Sequence, residues 1–214
     1  GICGSGIIEA LAEMYLAGIL STDGVIDGRL ADETPYVIPV DRTFAYVMRE
    51  DDTNPIRVYQ TDVRAIQLAK AALHAGARLL MDRFGVDSVD RILLTGAFGS
   101  HIDTKYAMVL GMIPDCPLDE VKAVGNAAGI GARIALLNQR ARDEAEEVIR
   151  RVEKVETAVE PDFQQYFVNA MALPHKTDRY PHLSAAVTLP EPKMSAPSQE
   201  EAGGRPRRRR RRSS

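Results

Sequence analysis

Three consecutive apolar residues, Ile92-Leu93-Leu94, run directly into Thr95-Gly96-Ala97-Phe98-Gly99-Ser100. The run has no polar alternation, so both of its faces need burial, and it is too short for a helix. A strand buried on both sides requires helices above and below it, and the flanking sequence offers them. Apolar residues recur at helical spacing over 5–18 (Ile7, Ile8, Leu11, Met14, Tyr15), with Gly18 as a stop. Thr61 is placed to cap a long helix over 62–84, with a seam of Val63, Ile66, Leu73, Ala77 and Leu80, ended by Gly85. Between them, Val25–Ile26, Tyr36–Ile38, Phe44–Met48 and Ile56–Tyr59 are short β-like pieces broken by Asp-Gly, Pro and Asn. Downstream come a short helix over 103–110, a strand at Val121–Val124 and a helix from Asn126 to Asn138. A charged helix over 141–152, an edge strand at Val155 and a last helix over 161–172 complete the pattern. Such alternation predicts an α/β domain with a mixed sheet flanked by helices.

Charge is uneven along the chain. The net value is −3, but seven arginines (Arg205 and Arg207 to Arg212) sit at the C-terminal end. Residues 1–204 hold 20 basic against 30 acidic residues, a net of −10. An acidic body repels phosphate backbones, so nucleic-acid binding is not expected of it. The arginine run reads either as a solvated tail or as a patch for RNA, DNA or anionic lipid. Six of the twelve prolines fall in 174–214 with little apolar periodicity, so the folded domain is expected to span 1–174 and a disordered tail 175–214. No apolar run approaches the ~20 residues of a membrane span. Cys3 and Cys116 are far apart and outside any C-x-x-C pair, which fits a reducing cytoplasm and no iron–sulfur or zinc ligand set. Four scattered histidines (His74, His101, His175, His182) show no metal spacing. The chain opens at Gly1 without Met or a leader, and is expected to be a piece of a longer protein.

In α/β layers, ligands sit at the carboxyl ends of strands, near helix N-termini. Two glycine turns meet that rule. Gly96 and Gly99 remove Cβ atoms where the apolar strand ends, so a flat ring or sugar can approach the backbone; a plain turn is the alternative. Gly125-Asn126-Ala127-Ala128-Gly129-Ile130-Gly131 opens a helix in which Gly129 and Gly131 each cost ~1 kcal/mol relative to Ala. A close helix neighbour offsets that cost in one reading, a phosphate or inter-lobe hinge in the other. A third turn, Gly1-Ile2-Cys3-Gly4-Ser5-Gly6, suits an anion or simple capping by Ser5. Neither of the first two is a Walker loop or a G-x-G-x-x-G fingerprint.

Lys70 lies within the apolar seam, flanked by Ile66 and Leu73. It is either a snorkelling stem or a cation at a pocket wall, with Gln67 one turn before it. Asp62 favours its helix N-terminus, and His74 has no partner at helical spacing. No Asp-x-Gly-Thr phosphate loop, Ser–His–Asp set or Cys–His pair is present, and no general base is identified.

Five motifs occur in one order: Gly-Ile-Cys-Gly-Ser-Gly at 1–6, Thr-Asp-Val-Arg-Ala-Ile-Gln-Leu-Ala-Lys-Ala-Ala at 61–72, Leu-Leu-Thr-Gly-Ala-Phe-Gly-Ser at 93–100, Gly-Met-Ile-Pro at 111–114 and Val-Gly-Asn-Ala-Ala-Gly-Ile-Gly-Ala at 124–132. With Pro-Asp-Phe-Gln-Gln-Tyr-Phe-Val-Asn-Ala-Met at 161–171, the chain over about 1–174 resembles the C-terminal part of the reductive activators of corrinoid enzymes. The resemblance implies an actin-like (ASKHA) ATPase lobe of ribonuclease-H-like type. It implies ATP with Mg as cofactor, and an iron–sulfur, ferredoxin-like domain elsewhere in the protein. The implied activity is the ATP-driven return of Co(II) corrinoid to Co(I), with a corrinoid protein or corrinoid-dependent methyltransferase as partner. Gly96, Ala97, Phe98 and Gly99 would form the adenosine-side turn. Gly125, Asn126 and Gly129 would open the helix between lobes, and Gln67 and Lys70 would flank the adenosine.

The family's phosphate loops, its metal-holding residues and its cluster domain are expected upstream of Gly1, so the chain alone is expected to hydrolyse ATP negligibly. Two other classes remain open at this level: a non-catalytic module that docks a corrinoid partner, and nucleic-acid binding through the arginine run.

Overall fold

The computed structural model describes residues 1–96 and 101–191. The first helix, α1 (Gly4–Leu16), buries Ile8, Leu11, Met14 and Tyr15 on one face. Its cap differs from expectation: the side chain of Cys3, not Ser5, accepts the Gly6 N–H. A three-stranded antiparallel meander follows, β1 (Val37–Val40), β2 (Thr43–Arg49) and β3 (Ile56–Tyr59). Asp41, at φ +50°, turns β1 into β2, and an irregularity between Val47 and Arg49 shifts the β2–β3 register. Val37, Ala45, Val47 and Val58 are buried.

The long helix α2 (Gln60–Phe84) begins before the expected Thr61 cap, with Tyr59 as N-cap. Asp62 reaches back and accepts the Tyr59 N–H at 2.9 Å, and Gly85 closes the other end at φ +67°. Its buried face also differs from the expected seam. Val63, Gln67, Lys70, Ala71, His74, Ala75, Leu79 and Met81 point inward, while Leu73 and Leu80 are exposed. The most apolar stripe is therefore not the stripe the core covers; the segment that packs on α2 presents carbonyls, and polar side chains on α2 meet them.

The apolar run is a strand as expected, β4 (Ile92–Leu94), paired in parallel with β5 (Val121–Ala123), but it is not buried on both faces: Leu93 is exposed, and Ile92 and Leu94 are half-buried. The crossover carries α3 (Thr104–Val109), capped by Asp103. The two strand directions thus occupy separate sheets, one antiparallel and one parallel, among the described residues. After β5 come α4 (Ala127–Leu137) and α5 (Gln139–Ile149), neither of which buries a residue. No edge strand forms at Val155. The last predicted helix is shorter than expected, α6 (Phe163–Asn169), and it packs on α2, where the Tyr166 hydroxyl donates to Asp82 at 2.6 Å.

The fold does not stop at Pro174. Residues 175–180 cross α2, α7 (Pro181–Ala186) packs on α3, and Tyr180 and Leu183 are buried. Proline density misleads here because Pro181 starts a helix, where its missing N–H costs nothing. The arginine run lies outside the described residues. One core joins α1, the meander, α2, α3, Val121 and the 173–183 segment. Among the described residues, no helix is long and apolar enough to cross a membrane.

Candidate functional site

The parallel pairing of β4 and β5 brings the two glycine turns into direct contact. Beyond the strands, Val124 N–H donates to Leu94 O at 2.8 Å, and Gly96 N–H donates to Gly125 O at 2.9 Å. The Thr95 hydroxyl donates to the same Gly125 carbonyl at 2.9 Å and accepts the Ala127 N–H at 3.1 Å. Thr95 therefore ties the end of one strand to the start of α4. Gly96 (φ +102°) and Gly125 (φ +69°) both adopt backbone conformations that favour glycine. Among the described residues, no atom lies within 4 Å of where a Gly96 Cβ would sit. Asn126 caps α4 as expected, its side-chain oxygen accepting the Gly129 N–H at 2.9 Å. Ala97, Phe98 and Gly99 lie outside the described residues.

An apolar groove of about 490 Å³ adjoins these turns. Ile7, Ile66, Leu73, Leu94, Thr95 and Met112 are among the residues that line it. Leu73, misplaced when read as core, is part of its wall. The groove is apolar and shaped by three elements, the general character of a small-molecule pocket, with Thr95 at its junction with the turns.

Gln67 and Lys70 meet different partners from those expected. The Gln67 amide donates to Asp23 O at 3.0 Å and Met171 O at 2.8 Å. The Lys70 Nζ donates to Ala172 O and, at 2.8 Å, to Pro174 O. Lys70 gives only its stem to the groove; at 1% exposure it is no snorkelling side chain, and its head ties down the 172–174 segment. Burial lowers its pKa to about 7. In this chain both residues are structural ties.

The fold also gathers histidines that look scattered in sequence. His74, on α2 and buried, stacks against His175 with ring centroids 4.7 Å apart. His74 Nε2 lies 3.5 Å from Asp178 Oδ2, and His175 Nδ1 lies 3.4 Å from Asp178 Oδ1. Desolvation lowers the pKa of both rings, that of His175 to about 4 despite the nearby carboxylate. The only local signal was the His175-x-x-Asp178 spacing; the partner on α2 is invisible to any periodicity.

The comparisons with known proteins agree with one another. The family model described as the C-terminal domain of RACo, the ASKHA domain, matches residues 1–184. A curated relative, the corrinoid activation enzyme RamQ of Eubacterium limosum, is 33% identical over 183 residues, covering 80% of this chain and 31% of that protein. A solved structure described as a reductive activator for corrinoid, iron–sulfur protein superposes with a TM-score of 0.74 at 32% identity, covering 87% of this chain and 30% of that one. The chain thus spans about 30% of the length of each of these relatives.

Proposed function

Because the chain belongs to the family of RACo C-terminal ASKHA domains, we propose that it forms the adenosine-side part of an ATP-driven reductive activator, which returns Co(II) corrinoid protein to Co(I) by one-electron transfer. The observation that carries this reading is the direct hydrogen bonding of two glycine turns, about thirty residues apart, beside an apolar groove. The missing Cβ atoms at Gly96 and Gly125 let a base and ribose approach the backbone. Thr95 fixes the spacing of the two turns, and Asn126 fixes the start of α4 by capping Gly129. Ala97, Phe98 and Gly99 continue the first turn in this proposal. Bound ATP supplies the free energy for an otherwise uphill reduction; the residues here bind and orient it.

The residues of this chain do not fit an iron–sulfur cluster. Cys116 is fully buried, Cys3 is exposed at a helix cap, and two thiols are half the usual ligand set. Electron entry is therefore assigned elsewhere in the intact protein. The relatives, a corrinoid activation enzyme and a reductive activator for corrinoid, iron–sulfur protein, support a corrinoid protein as the partner.

Titration of the chain with Mg-ADP, followed by hydrogen exchange, tests the reading. Slower exchange is expected at 92–96 and 124–130, with α6 unchanged. Leu73→Glu places a charge in the groove at an exposed position and is expected to abolish the protection without lowering Tm. Unchanged exchange at both turns with saturating nucleotide would remove the proposal; binding of a corrinoid protein without it would favour a docking module.

A further inference from the structure

We propose that the His175 imidazole is an acid-sensitive latch: while neutral it folds the 175–178 turn and holds residues 175–187 against α2 and α3, and protonation releases them. The geometry at its Nδ1 nitrogen carries this. The N–H groups of Asp178 and Thr177 both donate to that nitrogen, at 2.9 and 3.3 Å. A ring nitrogen that accepts carries no proton, so the ring is neutral, with its hydrogen on Nε2. An incoming proton has one place to go, Nδ1. There it turns an acceptor into a donor that faces two other donors, and the turn loses both bonds. Asp178 Oδ1, 3.4 Å from the same nitrogen, is the acceptor a protonated ring takes instead. One nitrogen thus has two alternative sets of partners, and only the neutral set folds the turn.

The surroundings favour the neutral set. The side chains of His175 and His74 are only 4% and 3% exposed, so a charge on either ring is poorly solvated. From α2, His74 stacks on the ring, and Lys70 points its ammonium at the carbonyls of 172 and 174 next to it. Arg78, a turn beyond His74, is paired with Asp82 and with Asp87 of the following loop. Asp115, after α3, is taken by the His182 ring and by the N–H groups of 182 and 183 on α7. The Tyr180 hydroxyl donates to Ile113 O. Within the segment itself Lys176 and Arg179 add positive charge, and Asp178 alone opposes it, shared with His74 Nε2 at 3.5 Å. Burial outweighs that carboxylate and holds the His175 pKa down at about 4.

The part that the latch holds is bounded. Gln67 and Lys70 tie residues 171–174, and acid leaves both sets of donors in place. Beyond Pro174 the chain depends on the turn and on the docking of Tyr180 and Leu183, because the six residues of α7 are too few for a helix to persist alone. A free imidazole titrates near ~6.5. Between that value and about 4 the released segment holds more protons than the docked one. Docking is therefore at full strength above the upper value and weakens by up to about tenfold for each pH unit below it. His74, His175 and Asp178 line no part of the groove beside the glycine turns, so the latch is read without nucleotide.

The test is hydrogen exchange on the full chain at about pH 7.5 and about pH 5, corrected for the intrinsic pH dependence of exchange. Protection over 177–187 is expected to fall roughly tenfold or more at the lower pH, reversibly, while α1 is unchanged. His175→Asn keeps a side-chain acceptor for the same turn and cannot take up the proton, so it is expected to flatten this dependence. His182→Gln removes the titrating ring of α7 and is expected to leave it as it was. In the parent chain, the ¹⁵N shifts of the His175 ring are expected to show the Nε2–H form at neutral pH and to titrate with the midpoint at which protection is lost. Protection indifferent to pH, a dependence that disappears with His182→Gln, loss in α1 in step with 177–187, or a neutral ring carrying its proton on Nδ1 would each overturn the latch. So would a docked His175→Asn segment that still responds to acid. Were that variant to release the segment at both pH values, the decision passes to the ring titration, where a midpoint apart from that of release overturns the latch and a shared one upholds it.

Discussion

At the scale of single residues, the closing segment is held by side chains whose role depends on burial. The Lys70 ammonium is charged at a cost, since its pKa falls from 10.5 to about 7 through desolvation. Between those values the unfolded chain holds more protons than the folded one, so stability rises with pH there, by roughly a few kcal/mol in all. Lys70→Met removes both the penalty and the donors to 172 and 174. Its Tm deficit against the parent chain is therefore expected to widen from pH 7 to pH 10, and a gap that stays constant would assign the slope to another group. Gly111 illustrates the opposite case, a position defined by space. At φ +70°, its Cβ would lie 1.9 Å from the Pro174 carbonyl oxygen. Gly111→Ala is expected to cost about 2–5 kcal/mol in urea unfolding, from backbone strain plus overpacking. Gly85→Ala, also at positive φ but in open space, is expected to cost only ~1–2 kcal/mol.

Elements divide by whether their determinants are local. Helices α1, α3 and α4 were legible because a cap or glycine stop brackets an apolar period, and β4 because an unalternating run has few alternatives. The meander was legible from its Asp-Gly, Pro and Asn breaks. The buried face of α2 was not, because its partner is a strip of carbonyls about a hundred residues away that selects Gln67 and Lys70 over Leu73 and Leu80. The segment after Pro174 was lost for the same reason: Tyr180 and Leu183 gain burial from parts of the chain distant in sequence, among them α3 and residues 113–120. The turns at Gly96 and Gly125 could be located in sequence, but their hydrogen bonding needs the parallel strand pair. Helix α4 poses its own test. A Cβ at Gly131 would meet nothing within 4 Å, so no neighbouring helix in the described residues accounts for that glycine. Gly131→Ala is expected to stabilise the chain by ~1 kcal/mol in calorimetry. If the glycine serves a ligand or an adjoining lobe, the same change weakens Mg-ADP protection at 124–130.

On the scale of the whole molecule, α4 and α5 carry a large share of the exposed apolar side chains of the described residues. Ile130, Ile134, Leu136, Leu137, Ile149 and Val152 are 49–82% exposed on or beside α4 and α5, and Leu93 of β4 is 55% exposed. A parallel pair of three-residue strands, open on one face, is an unusual finished sheet, because parallel sheets are normally covered on both sides. Contiguous apolar surface of this kind marks contact with further protein, and the relatives are about three times as long as the stretch matched here. Two consequences follow together for the isolated chain. It is expected to self-associate as concentration rises, and Leu136→Glu with Leu137→Lys is expected to return it to a monomer in sedimentation while Tm changes by little, since neither side chain is buried. On the proposed adenosine-side reading, it is also expected to release phosphate from ATP no faster than the uncatalysed background, in both forms. Phosphate release that grows with self-association would show that copies of this chain complete one another's sites; release by the monomeric variant would show that the catalytic groups are already within these 214 residues.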